Sequence, residues 1–205
     1  MIEKKLVKSA GEHWVCGVLS QMGWAAALTR DGLERTDILA VNKAGHHLSI
    51  QVKTTTTAVK PKFMFGSKVI EPSVSLNEWY VLVALPVDVL SPTRAFVIPR
   101  DHASVGVWTR HMEWLTNENV KPGSRNSGIN LNRIDHWLFE RYEQRWDLLD
   151  EPTNKTPVML PPRCRTLCTN PRVGLPEQHP WRDGLPEWDV NQVGKEWPDW
   201  WAVDL

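Results

Sequence analysis

At 205 residues the chain is long enough for one domain of about 150 residues with an appendage, and for a buried core of its own. Its 24 basic residues balance 24 acidic ones, which excludes a global polycation, yet between Ile38 and Ile70 five lysines (Lys43, Lys53, Lys60, Lys62 and Lys68) stand with no Asp or Glu. Three cysteines, Cys16, Cys164 and Cys168, are too sparse for a disulfide framework, and neither a signal-peptide core nor an apolar run near the ~20 residues of a membrane span is present, so a cytoplasmic protein is expected.

Residues 3 to 22 place Val7, Ala10, Trp14, Val15, Val18 and Met22 at helical spacing, with Gly11 at the centre of the stripe. A glycine there lets the helix sit close on a sheet. Glu12 falls at the edge of the stripe, where a carboxylate can be partly buried and still face a cleft. Gly23 ends this helix, and WAAALT reads as a short strand. TDILAVNKAGHHLSIQVKTTTT, residues 36 to 57, then reads as a β-hairpin. After a polar stretch, WYVLVALPV at 79 to 87 and RAFVIP at 94 to 99 read as buried strands around a Pro-containing turn. Asp101 can cap a helix running to about Leu115, KPGSRNSG at 121 to 128 is a loop by composition, and residues 132 to 149 are predicted as a second late helix bearing Ile134, Trp137, Leu138, Tyr142 and Trp146.

From Glu151 onward prolines recur, and five of the 12 tryptophans lie between Trp181 and Trp201. So much Pro excludes long regular elements, while so much Trp is unlike disorder. The division expected is a domain at 1–150 and an irregular Pro/Trp-rich tail at 151–205 that docks on this domain or on a protein partner.

The hairpin carries the chemistry. Gln51 and Lys53 are two apart and share one strand face, while Leu48, Ile50 and Val52 share the other. A three-residue loop Lys43-Ala44-Gly45, with Gly45 left-handed, sets Asp37 opposite Gln51 on the same face. A carboxylate, an amide oxygen and the Val52 carbonyl then make an all-oxygen site of the kind Mg²⁺ accepts, with Mn²⁺ as a substitute. Lys53 would supply positive charge to an attacking water or to the phosphorus in the transition state, and Glu12 could reach the site from the helix.

Glu12 in GEHW, Asp37 in TDILA and Gln51-Val52-Lys53 in IQVK together resemble the signature of the PD-(D/E)XK nuclease superfamily. The Gln form looks most like its Mrr-like restriction branch, and the GE helix is similar to that of archaeal Holliday-junction resolvases. The resemblance implies a restriction-endonuclease-like α/β fold with an αβββαβ core, a mixed central sheet flanked by helices, and Mg²⁺-dependent DNA hydrolysis leaving a 5′-phosphate. By motif match it implies metal-ligand roles for Glu12, Asp37 and Gln51 and the catalytic lysine role for Lys53. Thr36 stands at the name-giving Pro, Gln51 removes one negative charge, and four threonines follow Lys53 where many members place a helix.

Lys60, Lys62 and Lys68 are the candidates for contacting DNA phosphates, with Phe63 and Phe65 between them to stack on bases or to fold into the core. Ser9 is a weaker candidate for lining the cleft. His46 and His47 sit at the hairpin tip, away from the site, and His102, His111 and His136 lie on predicted helices without an assigned role. No recognition helix is evident, so structure-directed or nonspecific cutting is expected over sequence-specific restriction, and a homodimer fits an enzyme that cuts two strands. P-loop, Cys-x-x-Cys, G-x-S-x-G and H-E-x-x-H elements are absent. The alternative from another class is a catalytically inactive nuclease-fold module that binds DNA or a protein.

Overall fold

A computed structural model describes residues 3–30, 34–57, 59–117, 128–129, 133–189 and 194–202. The first helix, α1 (Lys4–Gln21), buries Gly11, Val15 and Leu19, a row at four-residue spacing. The row is narrower than the predicted stripe, and Met22 at its end stays exposed. Strands β1 (Ala25–Leu28), β2 (Ile38–Val41) and β3 (His47–Thr55) follow as an antiparallel meander. After β4 (Lys62–Met64), strand β5 (Glu78–Ala84) pairs parallel to β3, and β6 (Arg94–Pro99) closes the sheet antiparallel to β5. The result is a mixed five-stranded sheet in the order β1-β2-β3-β5-β6, flanked by helices.

A parallel pair needs a long crossover. Here it contains β4 and a 3₁₀ turn at Ser67–Ile70 in place of a full helix, as the threonine run suggests. Pro61, Gly66 and Pro72 break any helical run, and the alternation around Phe63 suits a strand. β4 pairs with β7 (Arg133–Asp135) as a separate two-stranded sheet.

The two faces of the main sheet are covered differently. Thr54 of β3 lies against Gly11 of α1, and Trp14 of α1 meets Trp146 with ring centroids 5.9 Å apart. On the opposite face, Gln51 and Lys53 lie level with Tyr80 and Leu82, which are level with Ile98 and Phe96. Phe63 packs edge-on against Phe96, and Phe65 bridges Tyr80 and Phe139. Burying each such ring contributes about 1.5–3 kcal/mol.

Helix α2 (Arg100–Thr116) starts two residues earlier than predicted and ends one residue later. Asp101 does not cap it. Pro99 holds the N-cap position, and the Asp101 carboxylate in the first turn accepts hydrogen bonds from the Ser73 amide (3.1 Å) and hydroxyl (2.7 Å), which ties the crossover to the helix. The predicted helix at 132–149 is replaced by β7 and two 3₁₀ segments, His136–Tyr142 and Trp146–Asp150. Phe139 departs from helical dihedrals, Gln144 takes φ 54°, and the Gln144 amide donates to the Ala95 carbonyl at 2.8 Å. His136, Leu138, Phe139 and Tyr142 are all buried along this broken path. Of the predicted loop at 121–128, residues 121–127 lie outside the described residues.

The Pro/Trp-rich segment docks on the chain itself. Its described residues hold helices α3 (Pro162–Thr169) and α4 (Asp199–Ala202) and short 3₁₀ turns at Thr153–Lys155 and Pro180–Asp183. Val158, Leu160, Cys164, Trp188 and Trp201 are buried in the same hydrophobic core as the sheet. The Tyr142 hydroxyl accepts from the Met159 amide at 2.9 Å, and the Trp188 indole donates to the Leu160 carbonyl at 2.9 Å. Among the described residues no helix is long and apolar enough to cross a membrane.

Beside this junction His102 is fully buried, with Nδ1 2.8 Å from the Tyr142 hydroxyl; burial, and then the charge of His179, pulls its pKa down to about 3. A folded-state pKa below the unfolded value makes its contribution to stability complete above about pH 6.5 and lost as pH falls towards 3. His102→Gln removes this titration. Urea unfolding at pH 7.5 and pH 5 is expected to show about 2 kcal/mol more loss for the wild type than for the variant; equal losses would mean that His102 is protonated in the folded protein.

Candidate active site

The hairpin register is the one the spacing predicts. Ile38 pairs with Ile50 and Val41 with His47, and the ladder ends there, so the expected Asp37–Gln51 pair is not one of its rungs. Gly45 takes φ 83° in the loop, and the Asn42 side-chain oxygen accepts from the amides of Ala44 and His46, both at 3.0 Å. A turn closed this way fixes which residues face each other across the pair.

Asp37 stands just ahead of β2, where the chain parts from β3. Its amide donates to the Ile50 carbonyl (2.8 Å), and its Oδ2 accepts from the Val52 amide (2.8 Å). The carboxylate thereby replaces the next backbone partner of β3, close to the plane of the sheet and open to both faces. The N–H and C=O of one strand residue leave on the same side, which directs the Val52 carbonyl towards this fork as well.

From the helix side, the close approach at Gly11 delivers Glu12. A Cβ on Gly11 would stand 2.0 Å from Thr54 Oγ1, so only glycine allows this contact. One turn earlier, Lys8 reaches over: its Nζ is 3.2 Å from Glu12 Oε1 and 3.3 Å from Asp37 Oδ1. The Lys8 side chain is 57% exposed, against 14% for Glu12 and 15% for Asp37. Burial pushes the Glu12 carboxyl up, Lys8 opposing and the Asp37 charge adding. Glu12 Oε1 is buried, with the Lys8 ammonium as its cationic neighbour. The Lys8 ammonium is held above its ordinary value: burial, which lowers it, is outweighed by Asp37 and Glu12.

Lys53 shows the opposite balance. Burial pulls its pKa down, Asp37 opposes, the positive charges of Lys8 and Arg100 add to the fall, and Glu12 opposes weakly. Arg100 is itself 2% exposed and belongs to a buried network. It donates to the Lys68 carbonyl (2.6 Å) and lies 3.4 Å from Glu78 Oε2, which also accepts from Arg35 at 3.0 Å. Paired in this way, the buried charges pin the crossover against β5 without an orphaned ion.

Other candidates are placed differently. Gln51 lies on the expected face, but its amide nitrogen donates to the Glu34 carbonyl at 3.4 Å. Lys60 is exposed, whereas Lys62 pairs with Asp135 at 2.9 Å and Lys68 pairs with Glu34. Phe63 and Phe65 are 1% and 2% exposed, so of the two roles expected for them the core is correct and base stacking is not. Ser9 lies 3.3 Å from His13 Nδ1 through its hydroxyl. His46 and His47 are exposed at the hairpin tip as expected. Sequence reasoning missed Lys8, although its i,i+4 spacing to Glu12 was a usable signal.

Gly11→Ala is expected to cost about 1–3 kcal/mol by overpacking against Thr54, more than the helix propensity of Ala returns. Urea unfolding measures it; wild-type stability in the variant would mean that α1 rides further from β3. The same shift would move Glu12 off Asp37.

Among the described residues no group of three or more His, Cys, Asp or Glu side chains is disposed to hold a metal. The oxygen donors at the fork are two carboxylates and a carbonyl. No family model and no curated protein matches the chain. Among solved structures, a bacterial homing endonuclease, I-Ssp6803I, is similar over 49% of this chain and 68% of its own, at 18% identity and a TM-score of 0.36. So distant a likeness assigns no residue and no activity, and the functional reading rests on the site's own geometry.

Proposed function

We propose that this protein is a Mg²⁺-dependent deoxyribonuclease of the PD-(D/E)XK type, an endonuclease that cuts DNA by structure or without sequence preference. The observation that supports this reading is the meeting of Glu12 and Asp37 around one cation, the Lys8 ammonium, beside a half-buried Lys53 whose charge is disfavoured. The donor set suits a hard cation: every donor is oxygen, Glu12 Oε1 is buried against a cation already, and Mg²⁺ takes one or two carboxylates and keeps several waters. Asp37, Glu12 and the Val52 carbonyl would hold it, with Gln51 from the other face once its amide leaves Glu34. Bound there, the ion would polarise a phosphoryl oxygen and acidify a water.

The chain's own residues do the rest. Lys53 in its neutral form accepts the proton of the attacking water at Nζ, or in its charged form stabilises the charge developing at phosphorus. Lys60, which is exposed, would meet a phosphate, and Lys62 and Lys68 would do so by exchanging Asp135 and Glu34 for DNA. A second reading, a non-catalytic module that binds DNA or protein, is favoured by the Gln51 amide being tied to Glu34.

The test is cleavage of supercoiled, linear, single-stranded and four-way-junction DNA in Mg²⁺, Mn²⁺ or EDTA, with the wild type and Lys53→Ala from the same purification. Metal-dependent cutting by the wild type alone is expected. No cutting by folded wild type on any substrate would transfer the reading to the binding module.

A further inference from the structure

We infer that Lys8 is a built-in competitor for the metal position, a tethered ammonium that holds Glu12 and Asp37 together in the metal-free protein and leaves when a divalent cation binds. The inference rests on the metal site proposed above and adds a residue that the nuclease signature does not contain.

The geometry carries it. Lys8 Nζ makes ion-pair contacts to two carboxylates on different elements, at 3.2 Å to Glu12 on α1 and 3.3 Å to Asp37 at the start of β2. A lysine four residues N-terminal to a glutamate is the weaker orientation of a helical pair, so helix stability alone does not account for it. The contact to Asp37, 29 positions away in sequence, is the one that closes the site.

The exposures separate the mobile partner from the fixed ones. Lys8 comes in from solvent with more than half its side chain exposed, so it can swing out without unpacking the core. The carboxylates cannot follow. Glu12 is set by the Gly11 contact with Thr54, and Asp37 is held by the Val52 amide. A divalent cation reaching both carboxylates would meet the ammonium at close range, and like charges so near exclude each other. An exposed ion pair is weak, so a divalent cation can displace it, but the displacement lowers the metal affinity that the two carboxylates alone would give.

The experiment is Mn²⁺ binding to the full chain, by calorimetry and by electron paramagnetic resonance of free Mn²⁺, for the wild type, Lys8→Met, Lys8→Arg and Asp37→Ala. Methionine keeps the apolar stem and removes the charge. Lys8→Met is expected to bind Mn²⁺ at least ten-fold tighter than the wild type, Lys8→Arg no tighter, and Asp37→Ala not at all. Without metal, Lys8→Met is expected to melt below the wild type, because the two carboxylates lose their shared counter-ion, and Mn²⁺ should raise its melting temperature by more. Equal affinity for Lys8→Met and the wild type, with binding still lost in Asp37→Ala, would overturn the competitor role and leave the metal site standing. No Mn²⁺ binding by any folded variant would overturn both.

Discussion

Lys53→Ala is expected to lower DNA cleavage by about 10³-fold, within the 10²–10⁴ that a positioned acid or base contributes, while DNA affinity stays within a few-fold of the wild type. The separation follows from burial. Lys53 lies half-buried on β3, partly desolvated and with no carboxylate at ion-pair distance among the described residues. It therefore adds little to the long-range attraction that gathers DNA, and acts only on atoms brought into the site. The same environment predicts a gain in stability. A half-buried ammonium without a salt bridge is costly, so Lys53→Met should melt above the wild type, each kcal/mol gained appearing as about 2–4 °C. Lys53→Arg then divides the two chemical roles. A guanidinium keeps the charge and does not release its proton, so an electrostatic lysine tolerates the change and a proton-accepting one does not. Full cleavage by Lys53→Ala would remove Lys53 from the mechanism.

The parts of the site that were legible in the sequence are those fixed by local rules. Period-two alternation from Leu48 to Lys53, with Gly45 at the one loop position that needs a positive φ, gives the β2–β3 register from Ile38 to Val41. Gly11 in an apolar helical row announces a close approach to a sheet, and the approach is to Thr54. The apolar runs around Val81 and Val97 have one reading as buried strands. Features that depend on distant partners were not legible. Lys8 closes the site only because α1 crosses the end of β2, and Arg100 is paired with Glu78, a carboxylate it shares with Arg35 from another segment. Lys62 and Lys68 look like free cations until Asp135 and Glu34 arrive beside them. Residues 132–149 misled for a different reason. The aromatic and aliphatic residues from Ile134 to Trp146 fall near a helical period, but His136, Phe139 and Tyr142 are wanted by three neighbours at once, and a chain that turns at Gln144 serves them better than a helix.

Asp37 separates structure from chemistry most sharply, because its two oxygens have different partners. Oδ2 accepts the Val52 amide and Oδ1 faces Lys8. Asp37→Asn keeps an oxygen for the Val52 amide and removes the negative charge. It is expected to fold with a melting temperature near that of the wild type and to lose cleavage by at least about 10²–10³-fold, since a metal worth several kcal/mol to the transition state can no longer be held. Asp37→Ala should lose cleavage to the same extent and stability besides, because a buried amide left without an acceptor costs about 1–3 kcal/mol. Urea unfolding and cleavage rates of both variants decide the matter together. A large stability difference between Asn and Ala with equal inactivity would mean that one oxygen builds the fork and the charge operates it. Cleavage by Asp37→Asn within ten-fold of the wild type would show instead that the carboxylate is there for the fold alone, and the fork between β2 and β3 would cease to be the site of catalysis.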